Sequence, residues 1–250
     1  MAYLILAIRF LTIVPVRGRE ASGDKAFGRA GWWFPPIGLG LGALLVGADR
    51  AFSYAFPPLL AGLLLLALWK ILTGGIHLDG LADALDGLAG TDVDQRVAIM
   101  RDSRLGVFGA VGLVLHLLIS AAALVALSGT GRTGVLLIAP VIGRLAPLLI
   151  APLFPAATPG QGMGASFQAG LSRWAAPAHL VWLWALAGCC LGPWSALLLS
   201  LSLGAVLLWA VFLASRLGGL TGDAFGSSVE IAELATLVAA AALMHLRVIP

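Results

Sequence analysis

From residue 178 to residue 214 the chain is apolar over a length too great for one membrane crossing, and Gly192 with Pro193 sits near its middle. A helix needs about 20 apolar residues to cross the hydrocarbon core, and a Gly-Pro pair ends one helix and turns the chain. The stretch therefore predicts two helices, near 178–192 and 194–214. Further runs near 32–48, 57–74, 106–128, 134–154 and 230–247 bring the expected number of transmembrane helices to about seven. Composition agrees: 60% of the 250 residues are hydrophobic and 11% charged, with a mean hydropathy of +1.00, outside the range of soluble domains. The expected fold is all-α, one polytopic integral membrane helical bundle spanning 1–250.

The opening MAYLILAIRFLTIVPV has no basic residue ahead of its apolar stretch and no convincing cleavage site, and Arg9 interrupts it. Those features argue against a signal peptide. They predict an interfacial amphipathic helix within 1–30, with Arg9, Arg17 and Arg19 facing the headgroups. Orientation comes from the other basic residues. With the amino terminus inside, the inner segments carry Arg9, Arg17, Arg19, Lys25, Arg29, Lys70, Arg96, Arg101, Arg104, Arg173 and Arg216, and the outer ones only Arg50, Arg132 and Arg247. This bias places loops 75–105, 155–177 and 215–229 together on the cytoplasmic side. Attraction to anionic lipid accounts for a pI near 9.3, so no nucleic-acid partner is implied. Cys189 and Cys190 are adjacent in an apolar run and read as packing residues.

Within the first loop, residues 74–90 read GGIHLDGLADALDGLAG. Ionisable groups beside a bilayer are costly and mark working sites. If the segment is helical, Asp79, Asp83 and Asp86 share one face within an arc of about 60°. Three like charges so arranged call for a cation, and hard oxygen donors suit Mg²⁺ or Mn²⁺, which keeps waters and completes its shell with phosphate oxygens. The plain alternative is a solvated acidic face. His77 is a candidate ligand, base or substrate contact. Downstream, Arg101, Asp102 and Arg104 precede Gly106 and Gly109; a guanidinium fork matches phosphate oxygens, although basic anchoring explains such residues too.

The segment RLGGLTGDAFGSSVEIAE, residues 216–233, repeats the combination of arginine, glycine and acid. Asp223 is a candidate further metal ligand, whereas Glu230 and Glu233 are also explained as acids favoured at a helix start. GMGASFQ, residues 162–168, reads as a glycine loop able to form a phosphate nest, on weak grounds. Arg144 lies mid-span between two prolines and must face the bundle interior, in an ion pair or against an anionic group. His116, His179 and His245 read as packing or interfacial residues.

The runs GGIHLDGLADALDGLAG, RDSRLGVFGA and GGLTGDAFGSSVEIAE, with the opening RFLTIVPV and WWFPPIGLGLG, resemble the cobalamin synthase family, adenosylcobinamide-GDP ribazoletransferase, over essentially the whole chain. The resemblance implies a Mg²⁺-dependent multi-pass enzyme of the bacterial inner membrane with its active site facing the cytoplasm. Such an enzyme joins α-ribazole or its 5′-phosphate to adenosylcobinamide-GDP and releases GMP. It implies Asp79, Asp83, Asp86 and Asp223 as metal ligands, Arg101, Arg104 and Arg216 as phosphate contacts with Asp102 beside them, and His77 or a free aspartate as base. Association into homo-oligomers is left open. Two rivals remain. One is a CDP-alcohol type phosphotransferase, which shares the D-x-x-D-G opening of Asp83 to Gly87 but carries an Ala-Arg pair where this chain has Ala89 and Gly90. The other is a divalent-metal transporter, in which intramembrane acids mark the permeation path.

Overall fold

A computed structural model describes residues 1–160 and 162–246. Its α-helices are α1 (Ala2–Leu11), α2 (Ala26–Ala30), α3 (Phe34–Ala55), α4 (Pro58–Leu72), α5 (Ile76–Gly87), α6 (Val93–Met100), α7 (Val107–Ala126), α8 (Gly129–Ile150), α9 (Gly162–Gly170), α10 (Ala175–Leu191), α11 (Ser195–Leu217) and α12 (Gly222–His245). Single 3-10 turns lie at Gly31–Trp33 and Gly192–Trp194. Among the described residues the only extended pairing is an isolated bridge between Ala156 and Leu220.

By length and apolarity, five helical stretches among the described residues can cross a bilayer, and six when α4 is joined to α5. The longest, 175–217, covers 43 residues and contains the expected break, with Gly192 at φ 66°. Its halves run antiparallel. Near the start of α10, His179 Nε2 lies 2.8 Å from the Trp32 carbonyl, just ahead of α3, and at the far end Leu191 packs against Gly134 early in α8. The chain then returns beside α12: Trp209 Nε1 donates to Ser227 Oγ at 2.9 Å, and Thr236 Oγ1 to Ser202 Oγ at 3.0 Å. Counting these halves separately, and α4 as the crossing half of its bent pair, the crossing helices are α3, α4, α7, α8, α10, α11 and α12. That matches the expected number.

The axis of the bundle is α8, in which every residue from 138 to 148 is buried. Against it α3 approaches closely, because Gly38 and Gly42 face it; a Cβ at either would stand 2.5 Å from the carbonyl oxygen of Pro140 or Leu137. Small residues permit such backbone contact where helices cannot rely on water to drive them together. At the far end Arg132 fastens the same pair, with Nη2 2.6 Å from Asp49 Oδ1. At the near end Gly74 and Gly75 take φ 62° and 68°, a left-handed pair that turns the chain by 89° between α4 and α5. As a result α5 lies across the end of the bundle rather than through it.

Several expectations change here. The 215–229 segment is helical from Gly222 onward, because Thr221 Oγ1 accepts from the Ala224 amide at 3.1 Å and caps α12 early. Glu230 and Glu233 are therefore about two and three turns inside the helix, not at its start. GMGASFQ lies within α9, so the expected glycine loop is a helix. Arg9 does not simply face headgroups: it donates to the carbonyls of Val16 and Gly18 and pairs with Glu20, holding the chain beyond α1. Arg247 lies outside the described residues.

Candidate active site

The acids Asp79, Asp83 and Asp86 lie on α5 as expected, on successive turns, yet they are not equivalent. Asp86 is buried and uses both oxygens, accepting the amides of Gly106 and Gly109 at 2.8 Å each. Those amides open α7 and lack helical partners, so the carboxylate caps that helix from another one. The same geometry requires the two glycines, since a Cβ at residue 106 or 109 would stand 2.8 or 3.0 Å from Asp86 Cγ. Asp79 and Asp83, by contrast, have no hydrogen-bond or ion-pair partner among the described residues.

A second helix brings Asp223. It sits in the first turn of α12, where that helix crosses α5 at Gly80. The proximity is visible electrostatically: the Asp83 carboxyl, on the helix across the bundle end, is pushed up to about 6, first by burial and then by the charges of Asp79, Asp223 and Asp86. Such mutual repulsion is what a bound cation relieves.

Three adjoining cavities collect the remaining residues. One is lined by His77, Asp79, Asp223 and Arg144 together with apolar side chains. Arg101, Thr221 and Asp223 line the second, and Asp79, Asp83, Arg101, Asp102 and Arg104 line the third. The expected acids and two of the expected arginines thus share one end of the bundle. Arg104 is exposed and grips Asp102 through Nη2–Oδ2 at 2.6 Å; that hydrogen bond, before any other cause, holds the Asp102 carboxyl down at about 2. Arg216 stands apart from these cavities, its guanidinium 5.5 Å from the ring centre of Phe212 at the end of α11. His77 is buried in α5, and its Nδ1 has no hydrogen-bond partner among the described residues.

Beneath the site lies a network that sequence reasoning does not assemble. Lys70 Nζ is 2.5 Å from Glu230 and 2.9 Å from Glu233, Arg144 pairs with Glu233, and His116 Nε2 is 2.8 Å from Glu230. In the sequence Lys70 reads as a cytoplasmic anchor and His116 as packing. A signal is present all the same: two acids three residues apart in an apolar stretch, and a lone mid-span arginine, each need a buried partner of opposite charge.

Among the described residues, no group of three or more His, Cys, Asp and Glu side chains is arranged to hold a metal by itself. The donor chemistry still fits Mg²⁺, which takes one or two carboxylates, retains waters and draws its other ligands from substrate phosphates.

Crossing helices with a polar cluster gathered at one end of the bundle define a polytopic, multi-pass membrane protein. A family model described as cobalamin-5-phosphate synthase matches residues 3–241, and the chain belongs to that family. A Pseudomonas paraeruginosa protein named adenosylcobinamide-GDP ribazoletransferase is 43% identical over 241 residues, covering 95% of this chain and 97% of its own. Proteins of the same name from Pseudomonas aeruginosa and Brevibacillus brevis are 41% and 36% identical, over 95% and 93% of this chain and 97% and 94% of theirs. No solved structure matches.

Proposed function

We propose that this protein is a Mg²⁺-dependent adenosylcobinamide-GDP ribazoletransferase of the bacterial inner membrane, with its site facing the cytoplasm. It transfers the adenosylcobinamide phosphate to α-ribazole or α-ribazole 5′-phosphate, giving adenosylcobalamin or its 5′-phosphate and GMP. The observation that carries the reading is the meeting of Asp79, Asp83 and Asp223, from two helices, with Arg101 and Arg104 around adjoining cavities. The names of the full-length relatives supply the substrates, and the positive-inside bias supplies the orientation.

In the reaction the ribazole 3′-hydroxyl forms a bond to the phosphorus nearer the cobinamide. The bond from that phosphorus to the bridging oxygen breaks, and GMP leaves with the electron pair. Asp79, Asp83 and Asp223 would hold Mg²⁺, which when bound neutralises negative charge on the pyrophosphate oxygens. Arg101 and Arg104 hold the phosphates; Arg104 exchanges its Asp102 partner for a phosphate oxygen in doing so, a bidentate match of the same kind. His77, or an aspartate not engaged by metal, accepts the hydroxyl proton. Asp86 acts indirectly by fixing the start of α7 against α5. Positioning and charge stabilisation suffice for this chemistry, with no covalent intermediate.

The test is purified protein in detergent or liposomes, given adenosylcobinamide-GDP, α-ribazole and Mg²⁺. GMP release in step with cobalamin formation supports the reading. Metal uptake into sealed vesicles without GMP release would overturn it in favour of a transporter, and full turnover after exhaustive chelation would remove the metal from it.

A further inference from the structure

The cavity that reaches Asp79 and Asp223 is walled by Phe10, Phe27, Phe34, Phe167 and Phe225, five of the ten phenylalanines in the chain. Its volume is ≈ 120 Å³ and part of it is open to the outside, so it is a narrow cavity rather than a broad cleft. The rings are ordered against one another. Phe34 stacks on Phe167 at 5.7 Å and on Phe10 at 5.9 Å, while Phe27 and Phe225 meet Phe167 at 5.6 and 5.5 Å with their planes tilted by 60° and 58°. They come from α1, α2, α3, α9 and α12, so five elements converge to build this wall.

Two buried polar groups in this lining, His77 and Arg144, have unused capacity, and Arg144 has more of it. Arg144 is 1% exposed and pairs through Nη1 with Glu233, but its Nε and Nη2 have no hydrogen-bond partner among the described residues. Buried donors without partners are costly, and such a group beside a cavity marks where a ligand atom completes the bonding. The charge around it is already balanced, since Lys70 and Arg144 stand against Glu230 and Glu233. Arg144 therefore offers hydrogen bonds without net charge, which suits a neutral acceptor better than a phosphate.

We infer that this cavity seats the aromatic base of the acceptor nucleoside. The ring lies among the phenylalanines, an acceptor nitrogen on its edge takes a hydrogen bond from Arg144, and the ribose points to Asp79, His77 and Asp223. The inference rests on the transferase reading and gives the acceptor its place within that site. An apolar bicycle with a single acceptor nitrogen, as in a benzimidazole, fits the lining. Guanine would bury several edge donors against phenylalanine without partners, and a lipid chain would leave Arg144 unpaired.

The experiment uses the full-length protein in detergent and measures GMP release against acceptor and donor concentrations separately. Calorimetry follows binding of a benzimidazole riboside alone, with guanosine as the comparison. Phe225→Trp narrows the cavity, and Arg144→Lys keeps the charge beside Glu233 while removing the planar fork. Each is expected to raise the acceptor KM about tenfold or more, the loss of one good hydrogen bond or ring contact, and to leave the donor KM unchanged. A rise in donor KM alone, or unchanged constants in a variant that folds, overturns the assignment. Should Arg144→Lys not fold, Phe225→Trp decides. Should wild type release no GMP with any acceptor, the transferase reading falls by itself. The cavity assignment then stands if the riboside binds wild type, guanosine does not and Phe225→Trp abolishes binding, and it falls otherwise.

Discussion

Gly80 of α5 rests against the backbone of Asp223 at the start of α12: a Cβ at residue 80 would stand 3.1 Å from the Asp223 carbonyl oxygen and 3.3 Å from its Cα. This crossing brings acids from two helices to one place. Both neighbours are backbone, so neither can swing aside.

Gly80→Val should therefore wedge α5 away from α12 and spread the acids without removing any of them. Turnover is expected to fall about a hundredfold, the cost of a misplacement near 1 Å, while the protein remains folded in the membrane. Assay of GMP release beside a thermal melt checks both parts. Near-normal turnover would show that the crossing does not position the site.

Asp83→Asn should abolish turnover and, in chelator, raise the unfolding temperature at neutral pH. Burial and the charges of Asp79, Asp223 and Asp86 all disfavour its ionised form, so removing that charge relieves the metal-free protein. Opposite signs for activity and stability identify a group retained for function. Loss of both together would instead make Asp83 a structural residue.

The same carboxyl sets a pH dependence. Its folded value of about 6 lies above the ordinary 3.8, so between these values the folded state holds a proton that the unfolded chain has released. In chelator, the Asp83 contribution to stability is full below the lower value and is lost as pH rises through about 6. Activity should run the other way, declining as pH falls through about 6, because a divalent cation must displace that proton. Melting curves in chelator and Mg²⁺-dependent rates, each taken across the window, check the two signs.

Lys70→Met leaves Glu233 paired with Arg144 and Glu230 with His116 alone. Breaking a buried pair on one side costs about 3–5 kcal/mol, so the variant is expected to be poorly folded. Adding Glu230→Gln, which removes the uncompensated acid, should restore much of the stability. Denaturant unfolding of single and double variants measures the coupling, and simple additivity would dissolve the network.

The crossing helices are legible in the sequence because a bilayer demands long apolar stretches, and the turn at Gly192 because Gly-Pro cannot continue a helix. The acids of α5 are legible as a site for a related reason: charge beside lipid is rare. Other features depend on long-range neighbours. Asp86 has the same local spacing as Asp79 and Asp83, and only the arrival of Gly106 and Gly109 reveals that its oxygens are taken. Lys70 looks like an ordinary end-of-span cation until α12 supplies two acids. Arg216 carries the right charge in the right loop, but its side chain turns to Phe212. Five phenylalanines scattered along the chain give no local pattern and become a wall only when α1, α2, α3, α9 and α12 converge.

Translation delivers Lys70 and Arg144 to the bilayer before either glutamate that balances them has been made. A nascent bundle lacking α12 thus exposes two cations to lipid, and the last helix closes the assembly. Chains that stop early should be recognisable to membrane quality control by those stranded charges.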